Sequence, residues 1–163
     1  MGSLSRLDSE RLLWTSSVRA SHSDAAYIWT VVEVETAGLT QGFGFRVDRR
    51  PQVLFERHKF KLLTEGRFDD EAPDISGPPG GYGSLNIQYD RIEEALALCD
   101  KNGLGVEPAL KAASWGMGQV MGFNHEMAGF SSAAEMVEAM KTGKDAQLSA
   151  MAGFLIANGL IDP

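Results

Sequence analysis

Helical periodicity dominates the chain, and its first strong pattern lies in SDAAYIWTVVEVETAG. Apolar residues recur there at the i, i+3, i+4 and i+7 spacing of one helix face, between an N-cap at Ser23 and a stop at Gly38. At about 100° per residue, Glu35 lies on the apolar stripe whereas Glu33 points away from it. The pattern therefore predicts a solvated Glu33 and a Glu35 that packs against apolar side chains.

Later stretches predict more helices. A second helix occupies DRIEEALALCDKNG and begins with a capping box at Asp90. A third runs from near Pro108 to about Trp115, since proline suits the first turn of a helix. Two further patterns fill residues 131–158 and are separated near Gly143. These spacings indicate a mainly α-helical fold.

Two segments between the helical patterns have a different character. RVDRRPQVLFERHKF contains a short β-like run, and DDEAPDISGPPGGYGSLN is rich in proline and glycine. The second is predicted to be a loop, and its length is typical of functional loops. The fold class is thus mainly α with a small β-like segment and a Pro/Gly-rich loop.

Length and charge narrow the class of protein. A chain of 163 residues predicts one domain spanning 1–163, and a net charge of −7 argues against a general nucleic-acid binder. The basic stretch from Arg46 to Lys61 is either a solvated face or a surface that attracts an anionic polymer or membrane. A single cysteine, Cys99, is expected to be buried and excludes an intramolecular disulfide framework. No apolar run predicts an export signal or a membrane span, so we expect synthesis in the cytoplasm.

The sequence lacks the motifs of several common cofactor sites and active sites. WGMGQVMG has glycines but no following Lys-Ser/Thr and the wrong spacing for a dinucleotide, so no nucleotide cofactor is expected. HEMAG lacks the second histidine of a zinc protease helix, and the remaining histidines and Cys99 have no ligand spacing, so no metal is expected. Ser114 lacks the context of a hydrolase nucleophile.

The position of Glu35 suggests a chemical role for its carboxyl group, even without a motif. Apolar surroundings and the partial negative charge of a helix C-terminus both disfavour the ionised carboxylate, so the pKa of Glu35 should rise. A carboxyl that stays protonated near neutral pH can protonate a glycosidic oxygen. The alternative is a helix-end residue that only bonds backbone amides.

Four segments carry a resemblance to a known family. In order, VVEVETAG, RRPQVLFERHKF, GGYGSLNIQYDRIEEAL and ALKAASWGMGQVMGFNHEMAGF closely resemble the N-acetylmuramidase catalytic domain of bacteriophage endolysins. VETAG and SWGMGQVMG also look like the Glu-Ser/Thr and Gly-Leu-Met-Gln motifs of goose-type lysozymes and lytic transglycosylases. The resemblance implies a lysozyme-like domain that cleaves the β-1,4 bond between N-acetylmuramic acid and N-acetylglucosamine in peptidoglycan strands.

The same resemblance suggests site residues. Glu35 matches the catalytic general acid. The loop expected to line the sugar cleft comprises Gly116, Met117, Gly118 and Gln119, and the further substrate-binding candidates are Tyr82, Trp115 and Asn124. Aromatic faces and amides are the usual partners of sugar rings and N-acetyl groups.

The second carboxylate stays open at this stage. Glu56 is either a catalytic or Glu35-orienting residue, projecting from a strand-like segment, or the partner of a neighbouring arginine. A catalytic Glu56 should lie about 6.5–9.5 Å from Glu35 in an inverting enzyme and about 5–5.5 Å in a retaining one. Asp69 and Asp70 are further candidates for activating water, and His58 is expected to be structural.

One departure from the family concerns the C-terminal end. Family members continue past the position of Pro163 through a helical segment with an aromatic-Asn-Gly motif, whereas this chain stops at ANGLIDP. We expect a monomeric catalytic domain without a separate cell-wall-binding domain, which acts in the periplasm or cell wall after release. The alternatives are a lytic transglycosylase that uses Glu35 alone, a non-catalytic peptidoglycan-binding relative, and a regulatory or structural protein.

Overall fold

A computed structural model describes residues 44–161 of the chain. The predicted helix that carries Glu33 and Glu35 lies outside these residues. In chain order the elements are β1 (Val53–Phe55), α1 (Arg57–Leu63), α2 (Gln88–Lys101), α3 (Glu107–Lys111), β2 (Ala113–Trp115), β3 (Val120–Met121), α4 (Ala133–Thr142) and α5 (Lys144–Ala157). Short 3-10 turns occupy Leu85–Ile87 and Gly122–Asn124. The prediction of a mainly helical fold with a small β segment and a long loop is confirmed.

The three strands form one antiparallel sheet in the order β1-β2-β3. Ser114 in β2 lies opposite Leu54 in β1 and Met121 in β3, so β2 is the central strand. The predicted third helix was therefore wrong beyond Lys111. Residues 113–115 all pair with β1, and two of them, Ser114 and Trp115, also pair with β3. The non-local pairing with β1 overrides the helical pattern of the local sequence.

The longer helices agree with the sequence patterns, except at one cap. The helices α4 and α5 are separated at Gly143, as predicted, and the hydroxyl of Ser132 accepts the Glu135 N–H at the start of α4. The predicted capping box of α2 is wrong, because the helix begins at Gln88 and Asp90 lies inside its first turn.

The core joins the sheet to the helices. Phe60 on α1 packs against Phe55 and Phe68, with ring centroids 5.8 and 5.6 Å apart. Cys99 is buried, as predicted, and this burial raises the pKa of its thiol. No helix in residues 44–161 is long and apolar enough to cross a membrane. This core fixes the end of β1 and the start of α1, where one of the predicted carboxylates lies.

Candidate active site

Glu56 lies at the junction between β1 and α1. Its backbone N–H donates to the Ala112 carbonyl at 2.9 Å, and its own carbonyl accepts the Phe60 N–H at 3.1 Å. Glu56 is the N-cap residue of α1, yet its side chain makes no capping hydrogen bond. The expected strand alternation thus ends at Glu56, because Arg57 already belongs to the helix. The backbone is held on both sides while the carboxylate stays free of the helix.

The carboxylate of Glu56 lies beside the ring of His58. Its Oε2 atom is 3.2 Å from His58 Nδ1, a contact that lacks the direction of a hydrogen bond. Both atoms are buried, and neither has a hydrogen-bond partner among the described residues. Arg57, a neighbouring arginine that the sequence offered as an ion-pair partner, donates instead to the Pro78 carbonyl at 2.7 Å. Because unsatisfied buried polar atoms are costly and rare, this pair is a candidate for contact with a ligand.

Tyr82 reaches the same place from the Pro/Gly-rich loop. The charge of Glu56, desolvation and a hydrogen bond to Glu56 together raise the pKa of the Tyr82 phenol. The side chain of Tyr82 is 38% exposed. The loop turns tightly here because Gly80, Gly81 and Gly83 adopt positive φ angles. The Gln88 side chain binds both the Phe55 N–H, next to Glu56, and the Tyr82 carbonyl. The structure therefore brings together the segments of Glu56 and Tyr82, two residues that the sequence suggested separately.

The glycine-rich segment forms the tight turn between β2 and β3. Gly116 and Gln119 both have positive φ angles, of 70° and 45°. The Gln119 side chain donates to the Gly116 carbonyl and accepts from the Ser114 hydroxyl, each at 2.8 Å. Met117 is buried, and a Cβ added to Gly118 would lie 2.6 Å from Met151 Cγ. The predicted cleft-lining loop is thus a packed turn whose side chains are largely engaged within the protein.

The two remaining substrate-binding candidates differ in exposure. Trp115 is 1% exposed, and its indole N–H donates to the Leu110 carbonyl at 3.0 Å. This burial argues against direct stacking of the indole on a sugar. Asn124 is half-buried and ends the 3-10 turn after β3, next to the exposed ring of Phe123.

The other polar candidates have structural partners. Asp69 binds Lys61 and accepts the Ser76 hydroxyl at 2.6 Å, and the hydrogen bond from Lys61 holds the pKa of its carboxyl below the usual range. Asp70 is exposed. In the basic stretch, Arg50 pairs with Asp48 and lies 3.8 Å from the centre of the Tyr89 ring. Within residues 44–161, no cluster of three or more metal-ligating side chains occurs.

Sequence reasoning missed two buried polar residues behind the Tyr82 loop. Gln88 and Arg91 lie one helical turn apart on α2 and bind backbone carbonyls of that loop. Their signal in the sequence is weak, since a polar residue next to an apolar stripe usually faces solvent.

Comparisons with known proteins show the family and the fold of the chain. Residues 24–163 match the model of the family Muramidase, described as N-acetylmuramidase. The crystal structure of the Burkholderia AP3 phage endolysin matches with a TM-score of 0.73 and 28% sequence identity, over 93% of this chain and 54% of that chain. This chain therefore spans about half the length of that endolysin. No curated protein gives a significant match. With its mainly α, lysozyme-like fold, the chain belongs to the N-acetylmuramidase family.

Proposed function

We propose that the protein is a peptidoglycan hydrolase that cleaves the β-1,4 bond between N-acetylmuramic acid and N-acetylglucosamine. Glu35 acts as the general acid and Glu56 as the second carboxylate. The observation that carries this proposal is the buried Oε2 atom of Glu56, which lies without a hydrogen-bond partner among the described residues beside His58. Family membership supplies the reaction class in which such a carboxylate is useful.

The chemistry requires two separate tasks. Glu35 protonates the glycosidic oxygen as the bond breaks, and Glu56 either activates water or attacks the anomeric carbon. The backbone of Glu56 is held in place, and its Oε2 atom is prepared for either role because this oxygen gives up no hydrogen bond among the described residues. The distance between the two carboxyl groups separates the inverting from the retaining pathway.

The surrounding residues have roles that follow from their exposure. Tyr82 offers a partly exposed ring beside Glu56, and Asn124 offers an amide at the end of the 3-10 turn. In the β2–β3 turn Gly118 and Gln119 are half-buried, whereas Gly116, Met117 and Trp115 are buried and support the turn from within. Substrate contact therefore falls to the members of the predicted set that are not fully buried. As a single domain over residues 1–163, the protein would act as a monomer on peptidoglycan after leaving the cytoplasm.

The test of this function is the release of soluble fragments from purified sacculi. Glu35→Gln keeps the shape of the side chain but removes its titratable proton, so release should fall by at least about 10²-fold. Glu33→Gln is the matched control, two positions away on the opposite face of the predicted helix, and should retain activity.

Three outcomes would favour other functions. Fragments with 1,6-anhydro ends would indicate a lytic transglycosylase that uses Glu35 alone. Binding to sacculi without release would indicate a peptidoglycan-binding relative. Neither binding nor release would indicate a regulatory or structural role.

A further inference from the structure

Gln88 uses its whole amide to join two backbone segments. The side chain is fully buried at the start of α2. Its Oε1 accepts the Phe55 N–H at 2.9 Å, and its Nε2 donates to the carbonyls of Tyr82 and Ser84, at 2.6 and 2.9 Å. Phe55 directly precedes Glu56. One side chain thus connects the strand end that carries the carboxylate with the loop that carries the phenol.

Arg91 holds the same loop from the next turn of α2. Its Nη1 donates to the carbonyls of Gly81 and Tyr82, at 3.0 and 2.8 Å, and its Nη2 donates to the Asp74 carbonyl. The guanidinium also lies 5.6 Å from the centre of the Phe55 ring. Residues three apart on a helix share one face, so Gln88 and Arg91 form a single contact surface against the loop.

The Gln88 amide restricts the conformation of the loop. A buried amide is costly if it is left unsatisfied, so the Gln88 side chain favours the conformation in which its three backbone partners stay in place. The loop needs such partners, because the glycines around Tyr82 leave its backbone with many accessible conformations. Ordering the loop before a ligand arrives lowers the entropy cost of binding.

We propose that Gln88, assisted by Arg91, is a positioning residue that fixes Tyr82 against Glu56 and so pre-forms the sugar-binding side of the site. This inference rests on the proposed muramidase function for its purpose. The coupling itself is a property of the protein alone and can be measured without substrate.

The Tyr82 phenol reports the coupling. NMR titration of ring-labelled tyrosine gives the pKa of each phenol, and the Tyr82→Phe variant identifies the Tyr82 signal. Burial raises the pKa of Tyr89 to about 12, whereas the neighbouring charge of Glu56 is the main reason that the pKa of Tyr82 is raised. Glu56→Gln should therefore lower the pKa of Tyr82. The size of this decrease is the reference with which the other variants are compared.

The test variant is Gln88→Met, which keeps the volume and adds no charge. If Gln88 holds Tyr82 against Glu56, the pKa of Tyr82 should fall toward its ordinary value of 10. Gln147→Met is the matched control. Gln147 is equally buried but binds the Met117 N–H behind the β2–β3 turn, so its loss should leave the Tyr82 titration unchanged.

A second variant covers the case in which Gln88→Met does not fold. Arg91→Lys keeps the positive charge but loses the planar fork that holds several carbonyls, so it should also lower the pKa of Tyr82. In either folded variant, KM for sacculi should rise roughly three- to tenfold, the scale of ordering one side chain on binding, with a smaller change in kcat. Combining either with Tyr82→Leu should raise KM no further than Tyr82→Leu alone.

The outcomes separate this inference from the proposed function. An unchanged Tyr82 titration in a folded Gln88→Met or Arg91→Lys protein would overturn the positioning role even if the enzyme is active. Additive effects on KM with Tyr82→Leu would overturn it as well. A lowered Tyr82 pKa in a protein that never releases fragments would uphold the coupling and refute the muramidase function.

Discussion

Two glutamates at helix N-termini, Glu107 and Glu56, differ in what their carboxylates bind. The carboxylate of Glu107 accepts the backbone N–H groups of Ala133 and Ala134 at 3.2 and 3.1 Å, at the start of α4, and lies 3.4 Å from Lys111 Nζ. Glu56 is the N-cap of α1 but bonds no N–H of that helix, and its Oε2 is buried without a hydrogen bond among the described residues.

The difference indicates a structural role for the Glu107 carboxylate, whereas the Glu56 carboxylate is available to a ligand. Free N–H groups at a helix N-terminus attract a carboxylate, and Glu107 satisfies two of them. Although burial raises its pKa, these N–H groups and Lys111 outweigh that effect, so the pKa of Glu107 is lowered overall. Glu56 makes no such bond to α1, and its Oε2 atom lies beside the ring of His58 instead. We therefore expect substitutions of Glu56 to change activity and substitutions of Glu107 to change stability.

The largest expected effect is the loss of activity in Glu56→Gln. The substitution preserves shape but removes the charge that activates water or attacks the sugar, so kcat/KM for sacculi should fall at least about 10²-fold. The free energy of unfolding should change little, because Oε2 has no hydrogen bond to lose among the described residues and the glutamine amide oxygen can still accept from Tyr82. Initial rates of fragment release and urea denaturation measure the two quantities. A variant that unfolds readily but cleaves normally per folded molecule would assign Glu56 to the scaffold.

The opposite result is expected for Glu107→Gln. The weaker cap should lower the free energy of unfolding by about 1 kcal/mol at neutral pH, while activity per folded molecule stays the same. Since the folded-state pKa of Glu107 is depressed, its contribution is complete above the ordinary value of 4.5 and disappears as the pH falls through the lowered value. Denaturation of both proteins at neutral and acidic pH measures this. A stability difference that persists in strong acid would contradict the account of Glu107.

A smaller effect should follow from Tyr82→Phe. The ring remains available to a sugar, but the hydroxyl beside Glu56 is removed, so kcat/KM should fall roughly three- to tenfold, the scale of one hydrogen bond. Steady-state kinetics on sacculi provide the value, and the melting temperature should stay near that of the wild type. A fall as large as that of Glu56→Gln would show that the phenol, rather than the carboxylate, dominates the site.

The smallest effect is expected for Asp69→Asn. Asp69 is bound to Lys61 and Ser76, which makes it a member of the scaffold and a poor activator of water. Activity should change by less than about twofold, and the free energy of unfolding by less than about 1 kcal/mol, as for most partly exposed ion pairs. A large loss of cleavage in this variant would transfer the role of second carboxylate from Glu56 to Asp69.

The fold was predictable where local signals were long and repeated. The helices α4 and α5 were predicted because apolar periodicity extends over several turns and is interrupted at Gly143. The strand β2 was not, because three residues carry too little periodicity and their conformation depends on pairing with β1 and β3. The start of α2 at Gln88 was not predicted, because it depends on non-local contacts. The Gln88 side chain forms hydrogen bonds with the backbone of Phe55 and Tyr82.

The candidate site was predictable only in part, and for a similar reason. Tyr82 was named from the resemblance to a family and Glu56 from its place in a strand-like segment. That the two segments meet depends on non-local contacts, such as those of Gln88 with Phe55 and Tyr82. Trp115 was expected to bind substrate, whereas the pairing of β2 buries it. Whether a polar or aromatic side chain is buried depends on distant parts of the chain, which periodicity does not report.

Mass spectrometry of fragments released from sacculi in water enriched in heavy oxygen tests the central claim most directly. If Glu56 is the second carboxylate of a hydrolase, the wild-type protein adds labelled water across the bond and leaves reducing muramic acid ends that carry the label. These labelled ends should nearly vanish in Glu56→Gln and persist in Glu107→Gln. Unlabelled 1,6-anhydro ends from the wild-type protein, or labelled ends at the normal rate from Glu56→Gln, would contradict the account.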